Sequence, residues 1–208
     1  LNYPPGDQGL IPLREQILEW LLSESHQQYI LNLQGRTRRC ASQESNAVFS
    51  LLTLGIADER VEELVRRLLK WQWPDGGWNC DKRPETINSS FMETITPLRA
   101  LTLYARLTGN SLARTAVDRA AEVFLKRQLF LRQSNGQVIN PHFLKLHYPL
   151  YWHYDVLHAL GILADAGFLS DNRCQAALTH LKAQRLPDGG FPAQEKFYHP
   201  ANPAHLIP

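Results

Sequence analysis

The chain has 208 residues, 44% hydrophobic and 20% charged, ordinary values for a globular protein of one large domain or two small ones. Its 22 Lys and Arg against 20 Asp and Glu leave a net charge of +2, which argues against nucleic acid or an anionic membrane as partner. Three cysteines, Cys40, Cys80 and Cys174, are few, odd in number and widely separated, and read as reduced thiols of a cytoplasmic protein. No apolar run reaches the ~18 residues that suggest a spanning helix. Leu1 has no signal peptide behind it, and the missing initiator Met suggests a trimmed chain. The tightest basic cluster, Arg36, Arg38 and Arg39, reads as a solvated loop.

Residues 1–12 are rich in Pro and Gly and form an irregular lead-in. Over residues 13–33 Leu13, Ile17, Leu18, Leu21, Leu22, Ile30, Leu31 and Leu33 recur at helical spacing, with a break near residues 23–26 and a stop at Gly35. Ser42 or Ser45 caps the next expected helix, which carries Val48, Phe49, Leu51 and Leu52 and ends at Gly55. Asp58 caps an amphipathic helix with Val61, Leu64, Val65, Leu68 and Leu69 on one face and Arg60, Glu62, Glu63, Arg66 and Arg67 on the other. The pattern then repeats. An apolar helix is expected over 92–107, an amphipathic one over 113–129, an apolar one over 151–166, and a last amphipathic one after Asp171. No strand is expected.

Each amphipathic segment runs into a related motif. Gln72-Trp73-Pro74-Asp75-Gly76-Gly77-Trp78 returns as Gln184-Arg185-Leu186-Pro187-Asp188-Gly189-Gly190-Phe191, with a worn copy at Gln128 followed by Asn135-Gly136. Gln72, Gln128 and Gln184 fall at equal intervals of 56 residues, the signature of a repeat architecture. Physically the motif is a joint. Gln72 can satisfy helix-end carbonyls or bridge to the next repeat, and Pro74 stops the helix. Asp75 accepts from the following turn, Gly76 and Gly77 allow positive φ and close approach, and Trp78 packs on the neighbouring repeat.

The motif resembles the QW repeat of the terpenoid cyclases and protein prenyltransferase β-subunits, over about residues 42–191. The resemblance implies an all-α fold of helix pairs forming an α/α toroid with an apolar cavity between its inner helices. A full ring of that kind uses about six pairs and this chain supplies about three and a half, so an open, incomplete or shared ring is implied. The organisation is an N-terminal helical segment (1–41), toroid repeats (42–191) and a C-terminal tail (192–208), most simply within one domain.

In such a fold chemistry sits where inner helices begin. The densest cluster is the run from His147 to His158, where Asp155 and His158 are three residues apart and can share a proton along one helix face. Tyr151, Trp152, His153 and Tyr154, with Glu93 from the earlier repeat, are candidate cavity residues suited to an isoprenoid chain or a carbocation. The alternative for the same residues is packed aromatic core with Asp155 as a cap. Asp81 is the other candidate acid. The resemblance's own signatures are missing: there is no Asp-x-Asp-Asp, and the prenyltransferase zinc positions hold Met92, Thr94, Tyr151 and His153. Cys80-Asp81 would bind zinc only with a histidine such as His147 or His153. No cofactor is required by the sequence. Two functions remain open: a cyclase-like or prenyltransferase-like enzyme acting on a hydrophobic ligand with Asp155, His158 or Asp81 as acid, and a non-catalytic repeat module, alone or as a homo-oligomer, binding a lipid, peptide or protein.

Overall fold

A computed structural model describes residues 3–28 and 30–195, so residues 196–208 of the expected tail lie outside the described residues. The N-terminal helix α1 (Ile11–Leu22) is followed by the single turn α2 (Glu24–Gln27), whose cap Ser23 accepts the His26 backbone N–H at 3.2 Å. The rest of the segment expected as helix is instead an antiparallel hairpin of β1 (Leu31–Leu33) and β2 (Arg36–Arg38). Gln34 and Gly35 at its tip have φ of 52° and 70°, the left-handed pair a two-residue primed turn requires. Gly35 thus turns a hairpin and stops no helix. Leu31 and Leu33 fit a period of two as well as a helical one, which is why the strand escaped the sequence pattern.

The basic cluster on this hairpin is no solvated loop. Arg38 is 2% exposed, its guanidinium lies 4.5 Å from the Trp73 ring centroid, and its Nη1 donates to the Asp81 carbonyl at 3.0 Å. Arg39 pairs at 3.2 Å with the buried Glu44. A weakly hydrated planar cation stacks on an aromatic face at low desolvation cost.

The repeats follow. Helix α3 (Ala41–Thr53) begins after Cys40 with no side-chain cap: Ser45 lies buried inside the helix and Ser42 turns elsewhere. Helix α4 (Arg60–Trp71) starts where Asp58 accepts the Arg60 N–H at 3.0 Å. Arg67, expected on its outer face, is buried and donates to the Leu21 carbonyl at 2.9 Å, tying α4 to α1. Helix α5 (Phe91–Thr108) is capped by Ser90 and closed by left-handed Gly109, and α6 (Ser111–Leu125) is capped by Asn110. Helix α7 (Val156–Asp165) starts five residues later than expected, because Tyr151 has a non-helical φ of 50° and Asp155 is the cap. A short turn, Asn172–Cys174, leads into α8 (Gln175–Ala183). Helix α5 lies between α3 and α7 and against its own partner α6, while α4 packs on α3 and α6. The result is an inner row α3–α5–α7 and an outer row α4–α6, mostly helical as the all-α reading anticipates.

The joints between pairs are visible atom by atom. Gln72 Nε2 donates to the carbonyls of Gly76 and, in α6, Ala116, both at 2.8 Å, and its Oε1 accepts from Arg119 at 2.8 Å. Asp75 accepts the Ser89 N–H and hydroxyl at 2.8 and 2.5 Å. Trp78 is 1% exposed and donates its indole N–H to the Leu68 carbonyl at 2.9 Å. One turn closure occurs in the first and last joints, Trp73 N–H to Gly77 O with Gly76 N–H to Trp73 O and then Leu186 with Gly190 and Gly189. The middle joint closes Arg132 with Gln137 and Gly136 over a loop one residue longer. The worn middle copy therefore keeps a closed turn but has changed its length as well as its sequence. In the last copy Phe191 is 38% exposed where Trp78 is buried.

Gly76 has φ of 104°, and a Cβ there would lie 2.2 Å from the Arg119 carbonyl oxygen of α6. Gly76→Ala is expected to lower stability by about 2–4 kcal/mol. Gly161→Ala, in an exposed helical position with open space around it, is expected to raise stability slightly. Urea unfolding of the two variants compares them directly, and equal stabilities would remove the close approach as the constraint at the joint.

Candidate functional site

The inner helices begin at one end of the molecule. Ser42 at the start of α3 donates its N–H and hydroxyl to Glu93 at the start of α5, at 3.1 and 3.2 Å. Phe91, also at the start of α5, stacks on Phe143 at 5.4 Å and meets Tyr154, just before α7, edge-on at 5.0 Å. The starts of α3, α5 and α7 thus lie together, and their side chains do not take the roles expected of them.

Asp155 is 2% exposed and wholly engaged. Its Oδ1 accepts the backbone N–H of His158 at 2.9 Å, and its Oδ2 accepts the His147 N–H at 3.0 Å and faces His147 Nδ1 at 3.2 Å. The Asp155–His158 contact is therefore a helix cap, made through the main chain. Burial of the His158 ring, followed by the Arg99 cation, pushes its pKa to about 4. Asp81 joins neither of them: it is paired with Arg83 at 2.5 Å and with Thr86 at 2.9 Å, which holds its carboxyl well below the usual range.

The aromatic residues divide. Tyr154 is 1% exposed, donates to the Leu129 carbonyl at 2.7 Å, and packs with Phe91, Phe124 and Phe143. Tyr151 and Trp152 are each 62% exposed, and Trp152 stacks on His153 at 3.9 Å. Beside them opens a cavity of about 250 Å³ lined by Met92, Asn140, His142, Phe143, His147, Trp152, His153 and Tyr154. Of the candidate cavity residues Trp152, His153 and Tyr154 line it. Glu93 points instead to α3, one residue away from Met92, and burial raises its pKa.

Two clusters of ligating side chains lie at this end, and neither was anticipated as such. In the first, Cys40, Cys80 and Glu93 place one ligand atom each within 4.8 Å of one another. A hydrogen bond between the thiols pulls Cys40 down and pushes Cys80 up. In the second, Glu195 accepts from Lys145 at 2.5 Å and meets His142 Nδ1 at 2.8 Å and His147 Nε2 at 3.0 Å. Those contacts strap the chain after the last motif onto residues 146–148, alongside the Gln194 N–H bond to the Leu146 carbonyl at 2.8 Å. Cys80 was visible as a ligand type. Its partner was not, because only the hairpin carries Cys40 to the turn after the motif, through the bridge from Arg38 to Asn79.

His158 and His26 are both held neutral in the fold, each with a pKa lowered to about 4 by burial. The unfolded chain takes up protons on them near the ordinary value of 6.5, so the folded state carries fewer protons between 6.5 and 4. Their full contribution to stability is present above pH 6.5 and declines as pH falls towards 4. Melting temperature is expected to drop across that window, and less steeply in His158→Gln; parallel curves would assign the slope to other groups.

Against models of known protein families, curated proteins and solved structures, the chain has no match.

Proposed function

We propose that this chain is a helix-pair-repeat module, an open arc of the α/α-toroid kind, that binds an apolar, isoprenoid-like ligand at the end where its inner helices begin. The observation that carries the reading is the aromatic cavity beside α5 and α7, lined in part by the exposed Trp152, with the exposed Tyr151 next to it in sequence. Its volume of about 250 Å³ lies just below the ~300–1,000 Å³ of ordinary small-molecule sites, enough for one end of a chain-like ligand whose remainder lies along the exposed rings. The ring-like arrangement is supported by the two helix rows and by a closed turn at each of the three joints.

Binding without turnover is favoured over cyclisation or prenyl transfer. None of the three candidate acids is free to act: Asp155 is engaged by a helix cap, Asp81 by Arg83, and burial holds His158 neutral. A general acid must be able to reach the atom it protonates. A second reading, a module that seats a partner's apolar helix, is favoured by one feature. Between α1 and α3 runs a groove of about 390 Å³ lined by Leu10, Leu13, Ile17, Trp20, Leu51 and Leu54, with Leu13 50% and Trp20 52% exposed.

Titration with farnesol, geranylgeraniol, squalene and farnesyl diphosphate is expected to quench tryptophan fluorescence saturably for at least one of them. The change should be lost in Trp152→Ala and kept in Trp20→Ala, and the ligand should be recovered unaltered. Loss of the signal in Trp20→Ala alone would move the site to the α1–α3 groove. Product formation that disappears in Asp155→Asn would restore the enzyme reading.

A further inference from the structure

We infer that Cys40, Cys80 and Glu93 form a zinc site at the junction of the first two repeats. The three residues come from three separate elements: Cys40 from the end of the hairpin, Cys80 from the turn after the first motif, and Glu93 from the first turn of α5. Contacts other than those among the three ligand atoms bring them together. The Arg38–Asn79 bridge and the Arg38 bond to the Asp81 carbonyl lay the hairpin along the post-motif turn, which sets Cys40 beside Cys80. Trp78, immediately before this turn, is fixed by its bonds to Leu68, Thr94 and Ser90. Glu93 is oriented by the N–H and hydroxyl of Ser42.

The donor set selects the ion. Two thiolates favour zinc, copper(I) or iron over magnesium and calcium, and an added carboxylate oxygen favours zinc over copper(I). Ligand atoms within 4.8 Å of one another can close on a tetrahedral ion with side-chain adjustment alone. Three protein ligands leave a fourth position, and all three residues are partly exposed, so an ion can enter and water can complete the shell. Ser42 supplies the outer-shell hydrogen bonds that ligating carboxylates ordinarily have. The prenyltransferase zinc positions, Met92, Thr94, Tyr151 and His153, contribute nothing to this set.

The competing occupant of the site is a Cys40–Cys80 disulfide, and the other candidate centre is His142, His147 and Glu195. Protein purified from zinc-supplemented medium without chelator is expected to carry about one zinc per chain by elemental analysis. Cobalt exchanged into it is expected to show a thiolate-to-cobalt charge-transfer band. Cys40→Ser and Cys80→Ser should lose both signals with helical circular dichroism retained. Ser42→Ala should weaken zinc about 10- to 100-fold in a chelator competition. His142→Ala should leave zinc and the cobalt band unchanged. Zinc that departs with His142→Ala, free thiols with no metal, or a Cys40–Cys80 disulfide in freshly purified protein would each overturn the inference. Should the serine variants fail to fold, Glu93→Gln decides: unaltered zinc affinity and an unaltered cobalt spectrum would also overturn it.

Discussion

The close approach of two backbones at Gly76 is the constraint on which the rest of this structure depends. With no Cβ, Gly76 allows the turn after α4 to lie against the Arg119 carbonyl of α6, where any side chain would collide. Gln72 and Arg119 then bridge the same gap, bonding to each other, to the turn carbonyls of Gly76 and Trp73, and to the Ala116 carbonyl within α6. Gly77 makes a second close approach, to Thr94 and Ser89, which seats the turn on the start of α5. One four-residue turn thereby fixes an outer helix to the next outer helix and also to the next inner one. The spacing between the two helix rows follows from it.

That geometry also explains why polar groups collect at one end. Each joint delivers the chain to the beginning of an inner helix, where main-chain N–H groups need acceptors. Ser90 and Asp155 meet that need at α5 and α7, and Glu93 meets it at α3 by accepting the Ser42 N–H across the repeat boundary. An acid in such a place is recruited to hold the fold. Asp155 shows the consequence: it caps α7, orients His147 and, through His147, faces the Glu195 strap. Cys40, Cys80 and the aromatic rings around the small cavity are the groups at this end that the fold does not consume in the same way.

The legibility of the chain varied with the reach of the interactions involved. Periodicity and caps located α4, α5 and α6, because amphipathic helices of three or more turns carry their own signal. The 56-residue interval identified the joints, including the worn one at Gln128, which is followed by a closed turn one residue longer than the other two. The hairpin was missed, since three-residue strands hold too little pattern to outweigh a helical reading of Leu31 and Leu33. The segment 151–155 was read as helix because its aromatic residues resemble an apolar face, whereas the cap at Asp155 starts α7 later and leaves Tyr151 and Trp152 exposed.

By itself the sequence determined the class of architecture: a repeating pair of helices, one more apolar than the other, joined by a glycine-dependent turn. Those properties depend on residues near one another along the chain and so are written in spacing. Only the tertiary structure decided which side chains are available. It buried Arg38 under Trp73, turned Asp155 into a cap, placed Tyr154 in the core and brought Cys40 to Cys80 and Glu93. Each of these outcomes joins residues from different elements, and the interactions that decide them, desolvation and long-range hydrogen bonding, have no period along the chain.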